Sequence, residues 1–161
     1  MDREAFVAAF GGIFEESSWV ARRAWDCRPF DSREALHRAM TQQVESAARE
    51  EQLALLRAHP DLGARARMSA ASTREQQGAG LDQLTAEEYA DLKARNRAYR
   101  DKFGFPFLFA VNAAGKNEIM EALRRRASAD SETEFLEALV QAYRIAWFRL
   151  ESAIRPEEES R

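Results

Sequence analysis

Two histidines occur in the 161-residue chain, and one of them, His59, is followed at once by Pro60 and Asp61. An imidazole takes or gives a proton near neutral pH, so His59 is a candidate general acid or base. A second polar group follows, Ser72, Glu75 and Gln76, in the pattern S-x-x-E-Q, before glycines at 78 and 80. Ser72 and Glu75 also have capping-box spacing and so can simply start a helix; on the residues alone both readings stand. A third polar intrusion comes near the end. Phe135, Ala138, Ala142, Ile145 and Arg149 recur at steps of three and four, so Arg149 interrupts an apolar helical stripe. An arginine directed inward needs an anion, either a protein carboxylate or a substrate carboxylate. Metal chemistry is disfavoured. His59 has no cysteine or second histidine near it, and neither H-E-x-x-H nor a glycine-rich phosphate loop occurs.

The elements that must position these groups read as helices. Asp2 can cap a first helix with Phe6, Phe10 and Ile13 on its apolar stripe. Ser17 or Ser18 can cap a short second helix carrying Trp19 and Trp25, which breaks at Pro29. Asp31 and Glu34 have capping-box spacing ahead of a helix with Leu36, Met40, Val44 and Ala47 on one face. Its continuation, or a separate helix, carries Leu53 and Leu56 and stops before Pro60. A residue preceding proline is pushed out of helical geometry, so His59 falls at a helix end. His37, one residue off its stripe, reads as a surface or boundary residue.

Residues 61–71 read as loop. Thr85 and Glu88 form another capping box, before a helix with Tyr89, Leu92, Asn96, Tyr99 and Phe103 inward. Asn96 on that stripe needs hydrogen-bond partners, and tying the helix to a loop is its expected task. The run "FGFPFLFAVNAAG" is the most apolar in the chain. A single strand has no partner in a helical chain, so the run reads as an extended, buried segment. Its backbone groups need partners, a ligand among the candidates. Gly115 precedes a helix with Ile119, Met120 and Leu123 inward. Arg124, Arg125 and Arg126 at its end suit the helix dipole or a solvated face. Ser131 and Glu134 have the spacing to cap the last long helix, and residues 155–161 read as a frayed tail.

Length suits one domain, all-α, of about seven to nine helices across residues 1–161. The composition, 45% hydrophobic and 32% charged, is that of a globular protein. A formal charge of -3 gives no basic footprint for nucleic acid, which disfavours a helix-turn-helix DNA binder. The lone Cys27 allows no intramolecular disulfide and reads as a small buried side chain. No apolar run approaches a membrane span and no targeting segment is legible, so the expected location is the cytoplasm.

Taken in order, "FEESSW", "LLRAHPDLG", "STREQQGAGLDQL", "RNRAYRDKFGFPF" and "RIAWFRL" resemble the OHCU decarboxylases of urate degradation. Each motif is weak alone; the ordered set is specific and spans Phe6 to Ile154. The resemblance implies an all-helical, usually homodimeric enzyme without metal or organic cofactor. Its members convert 2-oxo-4-hydroxy-4-carboxy-5-ureidoimidazoline (OHCU) to (S)-allantoin and carbon dioxide. By the same resemblance His59 is the catalytic histidine, with Pro60 beside it. Ser72, Glu75 and Gln76 are the substrate-contacting group, Arg149 is the binding arginine, and Phe105, Pro106 and Phe107 line the site; the chemistry further assigns Glu75 a catalytic part, orienting His59. The chain departs from the family at Ser18, where proline is common, and at residues 64–70 and Asn112. The rival from another class is an inactive interaction module of the same fold.

Overall fold

The computed structural model describes residues 1–63, 70–112 and 114–154. Among these, eight α-helices and two short 3-10 turns form all the regular structure, and there is no strand. The helices are α1 (Arg3–Phe10), α2 (Trp19–Ala24), α3 (Arg33–Glu45), α4 (Arg49–Ala58), α5 (Ala70–Gly78), α6 (Ala86–Phe103), α7 (Lys116–Arg126) and α8 (Ser131–Ala153). The expected all-α fold is therefore the observed one. The expected tail at 155–161 lies outside the described residues, as do residues 64–69 of the loop expected over 61–71; residues 70 and 71 already belong to α5, which corrects that loop's end.

The chain divides into two compact units, Met1–Leu55 with the chain from Tyr143 onward, and Leu56–Ala142. In the first, α1 begins as expected, with the Asp2 carboxylate accepting from Ala5 N–H at 2.8 Å. Phe6, Ile13, Phe14, Val20, Leu36, Met40 and Val44 form the interior. Three expectations are corrected here. The cap of α3 is Ser32, whose hydroxyl accepts from Ala35 N–H, and Asp31 and Glu34 do not form the box. No side-chain hydrogen bond caps α2, because the Ser17 hydroxyl donates to Glu15 C=O. Cys27 is exposed, since it lies in a one-turn 3-10 segment that buries none of its residues. His37 is a boundary residue as expected, its Nε2 lying 2.8 Å from Tyr143 C=O and its ring edge-on to Trp147.

The second unit is built on α6. Thr85 and Glu88 make the reciprocal capping box that the sequence predicts. Leu92, Asn96 and Tyr99 are buried along the inward stripe. Tyr99 is its aromatic centre, packed against Phe103, Phe105 and Phe107 with ring centroids 4.6, 6.1 and 5.4 Å away. At the start of α8 the cap is Asp130, which accepts from Thr133 N–H and Oγ1. The expected cap residue Glu134 turns inward instead and is buried. It pairs there with Arg126, the last residue of α7, and accepts from the Tyr99 hydroxyl. Arg126 thus leaves the solvated arginine run. It continues the stripe of Ile119 and Leu123 into the interior.

Candidate functional site

His59 is the first residue beyond α4, and its N–H still bonds Leu56 C=O at 3.2 Å. The side chain lies in the second unit, 5% exposed, with Pro60 half-buried after it. The turn it opens is secured by neighbouring helices. Gln76 from α5 accepts from Gly63 N–H at 2.8 Å and donates to Asp61 C=O at 3.5 Å. Asn96 from α6 donates to Leu62 C=O at 2.8 Å. Arg100, one turn further along α6, reaches the Asp61 carboxylate at 3.0 Å. Gly63 has φ +74°, and a Cβ there would stand 2.5 Å from Leu92 Cδ2. Only glycine brings the chain that close to α6 in that conformation without strain.

The S-x-x-E-Q group lies within α5. Ser72 and Glu75 do not start the helix, which runs from Ala70. Ser72 and Gln76 are four residues apart, share one helical face and are both buried; Glu75 is half-buried. The polar group and the histidine turn therefore meet through Gln76, whose oxygen and nitrogen both address turn backbone.

Phe105, Pro106 and Phe107 are buried in a stretch with no regular secondary structure. Two side chains hold the residues that follow. Arg126 donates to Leu108 C=O, and Gln141 accepts from Ala110 N–H at 2.9 Å. The Arg126 guanidinium also sits over the Phe107 ring, 4.5 Å from its centroid. Phe105 and Phe107 present their rings to Tyr99. Burial, and then the Glu134 carboxylate beside it, raise the Tyr99 phenol above its ordinary range, so it stays a neutral donor.

Arg149 lies in the first unit, on α8, and it meets a protein carboxylate. Its Nη1 is 2.7 Å from Glu15 Oε2, and both side chains are almost wholly buried, at 6% and 4% exposure. Gly12 C=O accepts a longer bond of 3.5 Å. The anion demanded by the interrupted stripe is thus at least partly Glu15, the first glutamate of "FEESSW".

Sequence reasoning passed over Glu15, Glu134 and Arg126 as functional candidates. Arg126 carried a legible signal, since it falls three residues after Leu123 on the α7 stripe. Glu15 carried none, because residues 11–18 have no helical period to set against it. A groove of about 460 Å³ also occurs in the second unit, over Leu84, Leu92, Ile119 and Met120, but none of the predicted site residues lines it. Among the described residues, no group of three or more His, Cys, Asp and Glu side chains is placed to hold a metal ion.

The family model of OHCU decarboxylase matches residues 1–151. The chain belongs to the OHCU decarboxylase family. The 2-oxo-4-hydroxy-4-carboxy-5-ureidoimidazoline decarboxylase of Haloferax volcanii is 47% identical over 150 residues, covering 93% of this chain and 89% of that protein. The uric acid degradation bifunctional protein PucL of Bacillus subtilis is 46% identical over 99% of this chain, which spans 32% of that longer protein. A crystal structure of (S)-allantoin synthase superposes with a TM-score of 0.78 at 33% identity, over 96% of this chain and 51% of that one. An OHCU decarboxylase crystallised in the presence of (S)-allantoin has the same fold, with a TM-score of 0.73 at 23% identity.

Proposed function

We propose that the chain is the decarboxylase its family name describes, releasing carbon dioxide from OHCU to give (S)-allantoin. The observation that carries the proposal is the buried histidine at the end of α4, fixed by a turn that α5 and α6 grip, in a chain of this family. A decarboxylation leaves an electron pair on carbon as the bond to the carboxylate breaks. In OHCU the ring and ureido nitrogens delocalise that pair, so no cofactor is needed as a sink. The protein must hold the leaving bond across that system and deliver one proton to one face.

His59 is assigned to proton transfer and Glu75 to orienting His59 or the ureido N–H groups. Ser72 and Gln76 are assigned to the amide edges of the substrate, and Pro60, Phe105, Pro106 and Phe107 to the lining. Arg149 is assigned to an anionic or carbonyl oxygen on the strength of its motif, a task suited to its planar fork of donors. The family model runs through both compact units, which supports reading the chain as one domain. A homodimer in the cytoplasm completes the proposal, with neither nucleic acid nor membrane as partner. No helix among the described residues is long and apolar enough to cross a membrane.

The test is His59→Asn, which keeps hydrogen bonding but cannot cycle a proton near pH 7. General acid–base catalysis contributes on the order of 10²–10⁴ in rate, and a loss of that size with unchanged helicity is expected. Wild-type turnover by the folded variant removes His59 from the mechanism.

A further inference from the structure

The segment after His59 is held in an unusual degree of detail. Every residue from Asp61 to Gly63 is bonded by a side chain from another element. Of the residues that reach this turn Asn96 is the most buried, at 2% exposed, and the Leu62 it meets is 7% exposed. A buried carbonyl such as that of Leu62 needs a donor, and the Asn96 amide supplies it at 2.8 Å. The contact also fixes which way the amide points, since a flipped amide would set oxygen against oxygen. Asn96 Oδ1 meets no donor among the described residues. A buried acceptor in that state costs stability that an apolar side chain of the same size would not. The bond the amide makes is to the turn carrying His59.

The connection from Leu62 back to His59 is short and stiff. Pro60 has a fixed φ, and it restricts the backbone of His59 before it. Gly63 is pressed onto Leu92, one turn before Asn96 on the same helix. A displacement of Leu62 is therefore passed to the imidazole with little slack to absorb it. Arg100 is a weaker anchor, because its pair with Asp61 is largely exposed. Gln76 is assigned to substrate, so its loss would not separate positioning from binding.

We propose that Asn96 is a positioning residue for this reaction, holding the Leu62 carbonyl so that the His59 imidazole keeps its productive orientation. The proposal rests on the reading of His59 as the proton-transfer group. It is tested with Asn96→Leu, of similar size and without hydrogen bonding, and Asn96→Ser, a smaller polar change that decides the matter if the leucine variant does not fold. Each is assayed on full-length, folded protein well below its melting temperature. A misplacement of about 1 Å at a catalytic group costs roughly 10²-fold, so kcat should fall roughly ten- to a hundredfold with KM little changed.

A purely structural asparagine would lower the melting temperature and leave kcat per folded molecule intact. The imidazole resonances give a second readout. The chain has two histidines, and His59→Asn assigns which signals are which. In the Asn96 variants the His59 signals should move, while those of His37, bonded to Tyr143 C=O in the other unit, stay in place. Wild-type kcat in whichever Asn96 variant folds, or unmoved His59 signals, overturns the inference. A fully active His59→Asn protein instead overturns the reading of His59, and the resonance shift still reports whether Asn96 positions the ring.

Discussion

Removing either partner of the Arg149–Glu15 pair should destabilise the protein strongly, and removing both should restore most of the loss. The two groups are 2.7 Å apart with side chains only 6% and 4% exposed, so each would stay buried and lose a close ionic partner. Breaking such a pair typically costs about 3–5 kcal/mol. In a protein of this size a loss of that order lowers the melting temperature by roughly 6–20 °C. The experiment is a cycle of Glu15→Leu, Arg149→Met and the double variant, followed by thermal melts of each. The cycle is needed because Arg149 also donates to Gly12 C=O, and only the coupling energy isolates the pair. The double variant replaces two charges by apolar groups of similar volume, which is often neutral. It should therefore melt well above either single variant. Assayed for turnover, it also separates two roles. A stable double variant with no activity means that Arg149 serves substrate as well as the fold. Single variants melting within about 2 °C of wild type, or losses that simply add, would refute the reasoning.

Two further expectations concern the histidine turn and the metal. Gly63→Ala forces a Cβ to within 2.5 Å of Leu92 at φ +74°, and should cost about 1–3 kcal/mol, read as a lower urea midpoint; an unchanged midpoint contradicts the tight approach. Dialysis against EDTA should leave activity unaltered, because no cluster among the described residues suits a metal ion; activity lost there and restored by a divalent ion refutes that reading.

Where the sequence was informative, a local rule was enough. The Thr85–Glu88 box and the α6 stripe follow from spacing within one helix, and both are present as read. His59 at a helix end follows from the proline after it. The failures involve competition that local spacing does not contain. Ser131 and Glu134 have the right separation for a cap, but the Glu134 carboxylate finds Arg126 and Tyr99 in the interior, and Asp130 takes the cap instead. Arg126 reads with its neighbours 124 and 125 as a basic run, although its phase, three residues after Leu123, puts it on the buried stripe of α7. Arg149 was correctly placed on an inward stripe, yet its carboxylate partner lies 134 residues earlier in an irregular segment, where no pattern points to it. The site residues themselves were legible mostly as a motif set. Asn96 does what its inward position predicts, tying α6 to a loop, and that loop is the histidine turn; the grip of Gln76 on the same turn has no counterpart in local spacing.

The central claim is that the chain takes OHCU to one enantiomer of allantoin by delivering a proton to one face. OHCU decays unaided to racemic allantoin, so its disappearance alone says little. The direct measurement is the optical activity of allantoin formed from freshly generated OHCU, with the wild-type protein, the His59→Asn variant and no protein compared side by side. The wild type should give (S)-allantoin, at a rate well above the unassisted decay, and the other two racemic product. Racemic allantoin from the wild type, formed at the rate seen without protein, contradicts it.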